Sequence, residues 1–175
     1  MAPRKAIAVI GAGDATESVR NAAREVGIAI ARAGAVLICG GLGGVMEAAA
    51  DGARTAGGHT IGILPSYDRA SANPHIEFAI ATGMNNARNT IVVASADAVI
   101  ALPGEAGTLS EIGLALKIGR PVVALGAWGH IAGVRKSENP QAAVTLACKL
   151  AVSCPPKTAT VSTIHQTNRD DKTDR

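Results

Sequence analysis

The segment ALPGEAGTLSEIG, residues 101–113, places two carboxylates (Glu105 and Glu111) and one hydroxyl (Thr108) around a Pro-Gly turn at the end of an apolar run. Three chemistries fit it. Gly104, Gly107 and Thr108 at a helix start could cradle an anion, because the first N–H groups of a helix lack partners and its dipole is positive there. Glu111 could instead carry a proton, which would require it to be buried with a raised pKa. Or Thr108-Leu-Ser-Glu111 is a T-x-x-E capping box, Thr108 capping the helix and Glu111 reaching back to its N–H. Helix N-terminal donors lower a carboxylate's pKa, so spacing alone favours the cap over the catalyst. Glu105 is the odd residue. Its charge repels a phosphate in the same turn unless it points away or meets a cation.

Two more glycine clusters follow apolar runs: Gly11 and Gly13 after the first, and Gly40, Gly41 and Gly43 after the second. Glycine lets the backbone approach an anion closely, and three such loops favour anion binding over turn chemistry alone. GAGDATES lacks the third glycine of GxGxxG, and no GxxxxGK[ST] occurs, which disfavours an ordinary dinucleotide enzyme. In ATGMNNARNTIVVASA, a helix would put Asn85, Arg88 and Asn89 on one face at i, i+3 and i+4. An Arg between two amides suits a phosphate or a heterocycle edge better than an indifferent wet surface does.

The remaining reactive residues form no constellation. His59, His75, His130 and His165 are scattered without metal-ligand spacing, and Cys39, Cys148 and Cys154 show none either. Cys39 lies in an apolar run and reads as a buried reduced thiol. Ser110 lacks a GxSxG frame. Trp128 and Tyr67 fall in loop-like stretches, where either could serve as a lid.

Positioning such loops at one edge requires strands alternating with helices. Apolar runs at 6–10, 35–39, 60–64, 98–102 and 121–125 read as strands covered on both faces, with a short additional strand at 76–80. Helix-period stretches cover 16–33, 45–56, 84–95, the segment after Thr108 as far as 118, and 140–152. Asp14 with Glu17 suggests a capping box for the first helix, and Gly119 a C′ stop for the fourth. The alternation predicts a Rossmann-like open α/β fold, a mainly parallel sheet with helices on both faces. In such sheets ligands bind beyond the carboxyl ends of the strands. Residues 1–153 read as a single domain and 154–175, polar and without period, as a disordered tail.

Composition narrows the function. The chain has 175 residues, 47% hydrophobic but only 2% aromatic, so its core must be aliphatic. A net charge of +3 suits small anionic ligands and is too mild for nucleic acid, and three aromatic residues offer little stacking surface for single strands. No apolar run approaches the ~20 residues of a membrane span, and no secretory signal is visible, so a cytoplasmic protein is expected.

The segments GGLGGVMEAAADGA, GMNNARN and ADAVIALPGEAGTLSE resemble the superfamily marked by PGGxGTxxE. It is often labelled "lysine decarboxylase-like", and it includes the Lonely Guy cytokinin-activating phosphoribohydrolases. A shorter-chain branch holds the molybdenum-cofactor carrier proteins, related at fold level to the DNA-processing Smf proteins. In the hydrolases, an Arg and the Glu closing the motif cleave the N-glycosidic bond of a nucleoside 5′-monophosphate; by motif position these are Arg88 and Glu111. Here Asn89 follows Arg88 where Lys is typical, and Glu105 replaces the second Gly of PGG. GMNNARN with SADAVIALPG is more similar to the carrier branch. That resemblance implies molybdenum cofactor as the bound ligand, a homo-oligomer (dimer or tetramer), and molybdoenzymes as recipients.

Overall fold

Continuous aliphatic runs become strands buried on both faces. The computed structural model describes residues 4–153, with side chains from 4 to 151. Among the described residues, seven strands form one parallel sheet: β1 (Ala6–Ile10), β2 (Val36–Cys39), β3 (His59–Leu64), β4 (Phe78–Ala81), β5 (Ala98–Ala101), β6 (Val122–Leu125) and β7 (Val134–Ser137). Five α-helices join them: α1 (Glu17–Arg32), α2 (Val45–Thr55), α3 (Asn89–Ala94), α4 (Ala106–Lys117) and α5 (Pro140–Ser153).

The spatial order is β4-β3-β2-β1-β5-β6-β7. The chain winds outward from β1 to β4, returns to lay β5 beside β1, and winds the other way. Successive side chains on a strand point to opposite faces, so β1 feeds two cores. Ile7 and Val9 join Val26 and Ile30 of α1, Ala49 of α2 and Val144 of α5. Ala8 and Ile10 join Val92 of α3 and Ile112 of α4. The fold is the expected Rossmann-like α/β architecture, and every strand pair in it is parallel.

Four local expectations are corrected. The strand at β6 is not the last: β7 adds a polar edge strand, VRKS, which pairs on one side only and so needs no apolar run. α1 is capped by Thr16, whose Oγ1 accepts from the Val19 N–H at 3.5 Å, not by Asp14. The helix expected over 84–95 breaks into a 3₁₀ turn, Asn85–Arg88, followed by α3. Asn85 takes φ 48° there, which fits a polar residue able to enter the left-handed region. α4 begins at Ala106, two residues before Thr108, with Glu105 at the N-cap and no side-chain cap bond. Thr108 and Glu111 are therefore interior helix residues, and the capping box does not form. The tail from residue 154 lies outside the described residues.

Candidate functional site

β1 and β5 are neighbours, yet the helices that follow them lie on opposite faces of the sheet. Their loops part at this switch point and leave a crevice beyond the strand ends, the place where open α/β sheets bind ligands. The Ala12 N–H donates to the Pro103 carbonyl (3.0 Å), and the Val45 N–H donates to the Ala12 carbonyl (3.0 Å). These two bonds tie the glycine loops after β1, β2 and β5 into one frame. The frame surrounds a cavity of about 330 Å³ floored by Val9, Ile10 and Met46.

Arg88 and Glu111 both stand in its wall, each within the other's electrostatic reach. Both are buried, at 9% and 7% exposure. The backbone of Gly40 permits this: a Cβ there would collide with the Arg88 guanidinium, so the cation lies across bare main chain. Arg88 Nε is buried without a hydrogen-bond partner in the protein, a costly state for a charged donor unless a ligand or water meets it. Burial lowers the Arg88 pKa, and the charge of Glu111 counteracts the shift. Burial raises Glu111 to about 7, with Arg88 pulling the other way. The helix-terminal lowering expected from the sequence is absent because Glu111 sits a full turn and more inside α4. Near neutrality it can therefore give or take a proton at the cavity wall. Behind them, Cys39 is fully buried, burial pushes its thiol up to about 11, and its Sγ accepts from the Gly41 N–H at 3.4 Å.

Gly11, Gly13, Gly40, Arg88, Asn89, Gly107 and Thr108 line the cavity, as do Glu105 and Glu111. Gly104 supports it, because a Cβ there would strike the Thr108 hydroxyl. Gly41 and Gly43 stand away from it: Gly41 turns at φ 75° against Leu64. Asn85 is exposed and outside the lining, while its neighbour Asn86 is inside. The 3₁₀ turn rotates the register by which α-helical spacing had put Asn85 with Arg88. Asp14 also lines the cavity, released from its expected capping role. No spacing rule marks Asn86; only its place in the same Asn-Asn pair does.

Other candidates go elsewhere. The Trp128 indole N–H donates to the Leu102 carbonyl at 2.8 Å, which makes it a fixed strut and not a lid. Tyr67 is 86% exposed, its ring over Gly83. His59 pairs with Glu77 and His75 with Asp51, at the periphery. Among the described residues no group of three or more His, Cys, Asp or Glu is placed to hold a metal ion, and no helix is long and apolar enough to cross a membrane.

The sequence model of the SLOG cluster4 family matches residues 4–167. An uncharacterized protein of Archaeoglobus fulgidus is 48% identical over 79% of this chain and 91% of its own length. A protein of Mycobacterium tuberculosis named cytokinin riboside 5′-monophosphate phosphoribohydrolase is 39% identical, over 65% of each chain. Among solved structures, the molybdenum cofactor binding protein of Rippkaea orientalis superposes with TM-score 0.81 and 38% identity, covering 85% of this chain and 98% of that one. The molybdenum cofactor carrier protein of Chlamydomonas reinhardtii gives 0.77 and 31%, covering 86% and 99%.

Proposed function

The chain belongs to the SLOG cluster4 family, and from that premise we propose that it binds, protects and carries molybdenum cofactor. The observation that carries the reading is Arg88: a buried guanidinium on the cavity wall whose Nε has no protein partner, set among the bare backbones of Gly11, Gly40 and Gly107. Such a group is built to be completed by an anionic or heterocyclic ligand. Similarity to the cofactor-binding protein of Rippkaea orientalis over nearly that protein's whole length supports this choice. In this reading the protein is a cytoplasmic homo-oligomer that hands the cofactor to molybdoenzymes. Arg88→Ala is expected to weaken cofactor retention about 30-fold, the scale of a lost charged hydrogen bond, with the fold intact. Ultrafiltration of loaded protein measures it, and equal retention by wild type and variant would sink the assignment.

One observation favours a second reading, a nucleoside 5′-monophosphate phosphoribohydrolase. Glu111 is buried beside Arg88 and titrates near 7, as a proton carrier for glycosidic cleavage should. Water would add its hydroxyl to C1′ and its proton would pass to the departing base, with Glu111 as the carrier. Incubation with AMP and isopentenyladenosine 5′-monophosphate decides between the two. Free base released by wild type but not by Glu111→Gln makes the protein a hydrolase; silence in both leaves the carrier.

A further inference from the structure

Two cavities open beyond the carboxyl ends of the strands, and they differ in charge. The cavity at the β1–β5 switch point is lined by three carboxylates, Asp14, Glu105 and Glu111, against the single guanidinium of Arg88. The second, about 340 Å³, lies at the ends of β6 and β7 and is lined by Trp128, His130, Lys136 and Ser137 over Ala124, with no carboxylate among its lining residues. The Lys136 ammonium has no acidic partner among the described residues.

The second cavity is built, not incidental. Trp128 holds φ 65°, a strained conformation for a bulky side chain, and such strain persists only where the surroundings fix it. What fixes it is the indole bond to the Leu102 carbonyl. The stem of Lys136 crosses Gly129 so closely that a Cβ there would lie 2.5 Å from Lys136 Cγ and Cε. Gly126, at the mouth of this loop, faces Pro103. The Pro103 turn thus touches the loops of both cavities, through the Ala12 N–H on one side and Gly126 on the other.

We propose that the β6–β7 cavity is an oxyanion subsite that takes a phosphate-type group on the Lys136 ammonium and the His130 ring N–H, with Trp128 as its rigid side. An anionic group finds positive charge here that no lining carboxylate offsets, so electrostatics favours its binding at this cavity whatever the Arg88 cavity holds. The proposal does not depend on which ligand Arg88 holds.

Trp128 is the chain's only tryptophan and lines this cavity, so its fluorescence reports on it, with Arg88→Ala as the control for the other cavity. Wild type, Lys136→Gln, Lys136→Arg and Arg88→Ala are titrated with inorganic phosphate and with AMP. Lys136 is an exposed edge-strand residue, and an unchanged melting temperature verifies that its variants fold. Saturable quenching by phosphate is expected in wild type, about tenfold weaker in Lys136→Gln, restored in Lys136→Arg and retained in Arg88→Ala. No saturable response, or one that Lys136→Gln leaves unchanged, overturns the subsite, as does a response lost in Arg88→Ala. AMP binding that weakens with Lys136→Gln shows the subsite receiving an ester phosphate; AMP binding that does not, while phosphate weakens, shows it receiving free oxyanion. Cofactor retention that ignores Arg88 would refute the carrier reading and leave this result standing.

Discussion

Glu111 is where residue type and residue environment part company. T-x-x-E describes a solvated, ionised cap, whereas the side chain is 7% exposed and burial lifts its pKa from 4.5 to about 7. Between those two values the folded protein keeps a proton that the unfolded chain has released. The stabilisation this group gives is therefore full below about pH 4.5, falls as pH rises, and is gone above about 7, a swing of about 3 kcal/mol. Asp51 and Glu77 act the other way and at lower pH, because hydrogen bonds from Arg24 and His59 hold their carboxyls below the usual range. Urea unfolding at pH 5 and pH 8 should show wild type losing stability across the interval and Glu111→Gln losing about 3 kcal/mol less. Parallel pH dependence of the two proteins would mean that Glu111 titrates as an ordinary surface carboxylate.

At the scale of elements, the sequence discloses strands better than it discloses where helices begin. AIAVI, AVIAL and VVAL can only be buried on both faces, and β1, β5 and β6 are found there. Helix starts at the site follow the path of the chain instead of cap chemistry. α4 starts at an uncapped Glu105 and α2 at an uncapped Gly44, because both are anchored by loop contacts distant in sequence. Arg88 was legible from its type and its amide neighbours; Glu111 was not, since T-x-x-E spacing reads as a cap, and neither were Asn86 and Asp14, since a 3₁₀ turn and a displaced cap set their directions. The α2 start offers a sharp test. Gly44 has φ 64° and ψ −127°, and a Cβ there would drive into the Ala12 and Gly13 carbonyls. Gly44→Ala should cost about 3 kcal/mol in denaturant unfolding. Gly43→Ala, whose Cβ would meet its nearest atom at 3.5 Å, should cost less than about 1 kcal/mol. Equal costs would show that the loop frame is not fixed by that contact.

Of the two edges of the sheet, β7 is polar and β4 is apolar and bare. β4 pairs only with β3, and its alternate residues Phe78 and Ile80 are 55% and 48% exposed on one face. Tyr67 and Met84, from the segments flanking β4, are exposed as well. In a chain with three aromatic residues, two of them stand in solvent here, although an aliphatic core was available to bury them. A bare apolar edge strand invites aggregation unless something covers it, and in the homo-oligomer proposed above a second copy of this chain would be that cover. Met84 leads directly into the Asn85–Arg88 turn that places the guanidinium, so a partner seated on β4 would also brace the cavity wall. Light scattering coupled to gel filtration should give a wild-type mass at least twice that of one chain. Phe78→Lys with Ile80→Lys should reduce it to one chain and weaken ligand retention by Arg88 without unfolding the protein. A monomeric wild type, or a double variant of unchanged mass, would move the oligomer contact away from this edge and leave Arg88 to hold its ligand within a single subunit.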